Sequence, residues 1–211
     1  MSRYLRRISI VTVVALLAVA GIAAPASAAL AGPPRGWCNA STANSIWYDI
    51  TAAEVNPTLT HFMSINITPG TTGERTETLS RVNSVSTTIG GSVEISSSAG
   101  AIFAKVSVKV GFSVQNTTAS TDTETTSMRW TFSEPGYYGL YKGTRAVAGS
   151  YASFRCIRQD LPPPYGTSYS VWNMGETQYT TFDNIEVGTV RCDDPVPAGT
   201  LRFKARLQLG C

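Results

Sequence analysis

Between Ser84 and Gln115 the chain alternates apolar and polar residues through two consecutive runs of opposite parity. In the first run Val85, Ile89, Val93 and Ile95 occupy odd positions, with Ser84, Ser86, Ser92 and Glu94 between them. In the second, Ile102, Ala104, Val106, Val108, Val110, Phe112 and Val114 occupy even positions, separated by Lys105, Ser107, Lys109 and Ser113. A period of two is the signature of a strand with one apolar face. The switch of parity across the small residues Ser98-Ala99-Gly100-Ala101 predicts a tight turn, hence a long amphipathic β-hairpin over 84–115. Pairing Glu94 with Lys105 sets Val93 opposite Val106 and Ile89 opposite Val110. A two-residue slip preserves these faces, whereas a one-residue slip sets apolar against polar throughout.

The rest of the chain limits what such a hairpin can belong to. Residues 1–28 read as a secretory signal peptide: basic Arg3, Arg6 and Arg7, an apolar run, then Ala26-Ser27-Ala28 as a small-residue cleavage site. Its alanine-rich core reads as bacterial. With those arginines removed, 14 basic residues face 14 acidic ones, a balance that does not favour nucleic acid. Cys38, Cys156, Cys192 and Cys211 are an even number in an exported chain and predict two disulfides. Four cysteines allow three connectivities. Cys156 with Cys192 is preferred because both end strand-like runs, leaving Cys38 with Cys211 to tie the termini.

Residues 29–211 are expected to form one elongated all-β unit. A threonine- and serine-rich ribbon over 74–132 carries the hairpin 84–115, and 36–70 with 133–211 form a compact disulfide-stapled β lobe. Strand signals include Ser45–Ile50, His61–Ile67, Met128–Phe132, Tyr137–Tyr141, Thr167–Trp172, Thr177–Phe182 and Ile185–Arg191. Gly139, Gly143 and Gly149 read as breaks between short strands. Leu201–Leu209 alternates apolar residues with Arg202, Lys204 and Arg206, which predicts a half-buried strand with a basic outer face. No helix is expected beyond the leader.

Residues suited to catalysis are sparse. His61 is the sole histidine and sits within a strand-like run, where packing is a simpler role than proton transfer. The chain has no nucleophile elbow, no metal-protease histidine pair and no phosphate-binding glycine loop. Asp193-Asp194 reads as a solvated turn, and Asp122 with Glu124 as polar decoration of the ribbon. The expectation is a protein that is not an enzyme and uses no cofactor or metal.

A transmembrane strand needs about 9–11 residues with alternating apolar and polar faces. Both arms meet that requirement. Ile89, Val93, Ile95, Phe103, Val106, Val108, Val110 and Phe112 would face lipid, and Glu94, Lys105 and Lys109 would line a lumen. Closure of such strands into a ring satisfies every backbone amide, as a bilayer demands. Over residues 74–132, with Pro135-Gly136-Tyr137-Tyr138-Gly139 following, the arrangement resembles the aerolysin-like β-pore-forming family. The resemblance implies a long twisted antiparallel sheet, secretion as a soluble monomer, homo-oligomerisation at a target membrane or cell surface, and insertion of the hairpin. A glycan receptor is a further expected partner. The alternative is a non-lytic secreted binding or cell-surface module on the same disulfide-stapled framework, with Trp130, Tyr137, Tyr138, Tyr141 and Trp172 offering an aromatic patch for sugars.

Overall fold

The computed structural model describes residues 32–94, 96, 98–123 and 126–211. The leader 1–28, Ile95 and Glu124 lie outside the described residues. The fold is mostly β and antiparallel. Two very long strands form its spine: β1 (Ile46–Ile67) and, much later in sequence, β6 (Gly136–Asp160) pair from Ile46↔Arg155 to Ile67↔Gly136. A strand of 22 residues spans about 70 Å. The short strands β2 (Gly73–Thr78), β3 (Ser80–Arg81), β4 (Thr88–Ile89) and β5 (Ser127–Phe132) lie between them in sequence. β6 also pairs with β7 (Thr167–Phe182) and β8 (Glu186–Arg191), giving the order β3-β1-β6-β7-β4. β2 and β5 pair separately as a two-stranded ribbon, and Thr121–Thr123, within the expected threonine-rich ribbon, is a 3-10 turn.

Gly143 and Gly149 do not break β6; both lie inside it. At Thr51 and Thr60, β1 carries an extra residue, and each bulge stands beside one of these glycines. A Cβ on Gly149 would lie 2.0 Å from the Ala52 carbonyl oxygen, and one on Gly143 would lie 2.6 Å from that of Thr58. These glycines therefore permit close backbone approach where the sheet coils. The bulged Thr60 is used further: its carbonyl accepts from the Val82 and Asn83 amides at 2.8 and 3.2 Å, tying β3 to the edge of β1.

Burial is distributed along the sheet in three clusters. At the ribbon end, Ile67, Leu79, Trp130, Phe132, Tyr138 and Leu140 pack together. In the middle, Leu59, Tyr141 and Val190 lie under Leu201 and Ala205. The last two belong to an α-helix, α2 (Leu201–Leu209), which corrects the expected basic strand. Leu201, Ala205 and Leu209 recur every four residues and are buried. Thr200 caps the first turn by accepting from the Phe203 amide at 3.1 Å, and Gly210 ends the helix with φ 97°. Both are sequence-readable helix-boundary signals.

The disulfides are Cys38–Cys156 and Cys192–Cys211, with Cα–Cα distances of 5.1 and 5.5 Å. The expected pairing of Cys156 with Cys192 is thus corrected. The segment before β1 folds over Cys156, whose carbonyl accepts from Asn44 N and whose amide donates to Ser45 O, bringing Cys38 above it. Cys192 follows β8, and α2 carries Cys211 back to it. Two disulfides are compatible with an extracellular protein. Among the described residues no helix is long and apolar enough to cross a membrane.

Candidate functional site

The third cluster contains the segment that the alternation singles out. The expected hairpin over 84–115 is not formed: Ala99–Val110 is an α-helix, α1, lying on β1, β6 and β7. The physical reason is a second pattern in the same residues. Ala99, Ile102, Phe103, Val106 and Val110 also fall at helical spacing, and this stripe packs against Ile50, Val147, Tyr151 and Tyr179. Phe103 meets the Tyr179 ring edge-on at 6.3 Å. Tyr179 donates to the Ala52 carbonyl at 2.9 Å, and burial pushes its phenol up to about 12.

The first arm departs from the expected strand at Gly90-Gly91. Both glycines have positive φ, 59° and 79°, and Ile89 and Ser92 exchange amide–carbonyl hydrogen bonds at 3.0 Å across them. This is a two-residue hairpin turn of the kind that consecutive glycines favour. It reverses the chain immediately after β4, so Glu94 and Lys105 do not pair. The second arm after α1 forms no regular strand; it passes beside β7, where Gln115 N donates to Phe182 O at 2.8 Å.

At their bases the two arms do meet antiparallel. Ser86 bridges Ser120, Thr87 N donates to Ala119 O at 2.9 Å, and Thr121 N donates to Val85 O at 3.0 Å. Each of these pairs joins positions of like parity. An amphipathic hairpin over 84–115 must join odd to even. Extending the observed base register would set Val93 and Ile95 against the polar residues of the second arm, so forming the hairpin requires a one-residue bulge or a shift at the base.

The predicted membrane-facing residues are divided by this conformation. Phe103 and Val106 are fully buried under α1; Ile89, Val110 and Phe112 are half-buried; Val93 and Val108 are exposed. Val108 stands out at 85 % exposure on the outer face of the helix. The Phe112 ring lies 3.8 Å from the guanidinium of Arg145, which pairs with Asp183. Of the predicted lumen residues, Glu94 and Lys109 are exposed. Lys105 instead donates to the Tyr48 carbonyl on the open edge of β1, with its ammonium 3.6 Å from the Trp47 ring centroid. Burial lowers its pKa, partly opposed by Asp49.

The other chemical candidates are held in structural contacts. His61 is buried, exchanges a hydrogen bond with Thr60 Oγ1 at 3.1 Å, and has its pKa lowered by burial and by Lys142 and Arg81. Asp122 pairs with Arg81 at 2.7 Å. Asp193 pairs with Arg191, and Asp194 with Arg202. Among the described residues no group of three or more His, Cys, Asp or Glu is arranged to hold a metal. The aromatic set separates too: Trp130, Tyr138 and Tyr141 are buried, whereas Tyr137 and Trp172 are exposed near opposite ends of the sheet. Comparison of the chain with protein-family models, with curated proteins and with solved structures found no match in any of the three.

Proposed function

We propose that this is a secreted, membrane-acting protein of the aerolysin-like β-pore-forming type, in which 84–115 leaves the sheet and inserts as a β-hairpin contributed by each copy of a homo-oligomer. The observation that carries this reading is the double pattern of α1. Its residues alternate as a strand would, yet are folded as a helix that leaves Val108 in water. The helix is intrinsically weak: Ile102, Val106, Val108 and Val110 are β-branched, no acidic residue stands in its first turn, and Ser98 makes no side-chain capping bond. Packing on the sheet holds it, and loss of that packing favours the strand form. The faces of that strand form are fixed by parity, with Val93, Ile95, Val106, Val108, Val110 and Phe112 on the lipid side and Glu94, Lys105 and Lys109 on the lumen side. The long spine of β1 and β6 supplies a rigid frame from which the segment can be released.

The test is leakage of a trapped dye from liposomes, with recovery of ring-shaped oligomers from the membrane. A second reading, a non-lytic binding module for glycan, wall or protein, is favoured by the complete burial of Ala99, Phe103 and Val106. It predicts no leakage and retention on a glycan or wall fraction with α1 still packed.

A further inference from the structure

One end of the sheet carries apolar side chains that the described residues leave exposed. There β6 turns into β7 through Leu161–Gly166, beside the start of β1. Tyr165 at the loop tip is 76 % exposed and Trp172 on β7 is 60 % exposed. Leu161, Val171, Met174 and Ile46 around them are exposed as well. Ile46, Arg155 and Trp172 are consecutive cross-strand partners, so they form one row on one face. We propose that this end of the sheet docks the protein on a phospholipid bilayer with anionic headgroups, an inference that rests on the membrane-acting reading above.

Three features favour a bilayer surface as the occupant. Leu161 and Tyr165 belong to the loop and Trp172 lies in β7 level with the first residue of β1, and tryptophan and tyrosine with an apolar fringe are the residues that settle at headgroup level. The loop's backbone is also prepared for a region poor in water. Pro162, Pro163 and Pro164 have no N–H to satisfy, Leu161 N donates to Gly166 O at 2.8 Å, and Tyr165 N donates to Pro162 O at 3.1 Å.

Charge supplies the third. Arg155, in the centre of the row, is exposed and forms no ion pair among the described residues. Arg35 lies in the turn leading to Trp37, whose ring meets Trp47 at 6.0 Å; Trp47, next to Ile46 in β1, faces the other side of the sheet from the Ile46–Arg155–Trp172 row. Asp160, the acid beside the loop, is already held by Thr167 and Arg158, and their hydrogen bonds keep its carboxyl below the usual range. The charge in the row itself, that of Arg155, is positive, which complements anionic lipid.

Flotation of the exported protein with vesicles of phosphatidylcholine, alone or mixed with phosphatidylglycerol, tests this. The wild type is expected to float with the mixed vesicles. Trp172→Ser and Tyr165→Ser should each weaken binding about tenfold, and Arg155→Glu should weaken it on the anionic vesicles alone. Tyr137→Ser, exposed near the opposite end of the sheet, should bind as the wild type does. All four positions are surface-exposed, so circular dichroism should report an unchanged fold. Absence of vesicle binding, binding through a glycan alone, or binding unaffected by Trp172→Ser and Tyr165→Ser overturns the proposal. Dye leakage from the same vesicles separates it from the functional reading. Binding that needs Trp172 without any leakage keeps the docking surface and removes insertion, whereas leakage indifferent to Trp172 keeps insertion and removes the docking surface.

Discussion

Lys105 of α1 donates a hydrogen bond from its ammonium to the backbone carbonyl of Tyr48 at 2.5 Å, across the open edge of β1. One side chain thereby does two things. It anchors the helix to the sheet, and it occupies a carbonyl that an unprotected strand edge would present to another chain.

Lys105→Met is expected to loosen α1 and leave the spine intact. The lost charge-assisted hydrogen bond and cation–π contact, offset by relief of the burial cost, amount to about 1–2 kcal/mol. Hydrogen exchange read residue by residue should show faster exchange for amides in Ala99–Val110 and unchanged exchange across the β1–β6 ladder. Uniform acceleration in both would show that Lys105 supports the whole fold and not the helix.

Gly149→Ala should be severe. The added methyl would lie 2.0 Å from the Ala52 carbonyl oxygen and 2.8 Å from the Tyr179 hydroxyl, so backbone must move and the Tyr179–Ala52 hydrogen bond is disturbed. A cost of about 3 kcal/mol or more corresponds to a melting temperature lowered by about 10 °C. Thermal unfolding measures it directly.

The two disulfides should contribute unequally. Cys38–Cys156 closes a separation of 118 residues and Cys192–Cys211 one of 19. In the chain-entropy picture their losses are about 5 and about 3 kcal/mol. Urea unfolding of the two double-alanine variants gives the comparison, and peptide mapping without reduction should recover Cys38 joined to Cys156.

His61 makes stability depend on pH in a defined window. Burial, with Lys142 and Arg81 adding repulsion and Asp122 opposing them, holds its folded pKa below the ordinary 6.5. Below 6.5 the unfolded chain takes up a proton that the folded protein resists, so stability is full above 6.5 and falls as pH drops through the interval to the folded value. The slope approaches about 1.4 kcal/mol per pH unit. His61→Gln should flatten the urea midpoint between pH 6.5 and pH 5. The depressed carboxyls of Asp160, Glu176 and Asp193 lose their contribution at lower pH and leave this window clear.

Much of the β framework was legible in local patterns, but its scale was not. Ser45–Ile50 and His61–Ile67 read as two strand signals, with Pro57 between them. They are one strand, since β1 has an open edge along this stretch where a residue without an N–H does no harm. Gly143 and Gly149 carry the same lesson: a glycine marks a turn or a close contact, and its partner strand, more than 80 residues earlier, decides which. Gly90-Gly91 is the opposite case: consecutive glycines make a local turn inside a run whose alternation suits a strand. In α1 the two periodicities compete within twelve residues, and only the presence of Ile50, Tyr151 and Tyr179 opposite selects the helical one. Thr200 and Gly210 were sufficient to mark α2, yet the alternation of charges there suited a strand equally well. The pairing of the cysteines depends on which loops fold back, and no local pattern encodes that.

The most direct measurement is dye leakage by Val108→Asp beside the wild type. Val108 is 85 % exposed on α1, so aspartate there should change stability by no more than about 0.5 kcal/mol. On the lipid face of an inserted hairpin the same charge is penalised in a depth-dependent way, and the penalty recurs in every copy around the ring. Leakage by the wild type and its loss in Val108→Asp, with folding and secretion unchanged, is the expected result. Leakage by Val108→Asp at the wild-type rate, or none by the wild type from any lipid mixture, would contradict it.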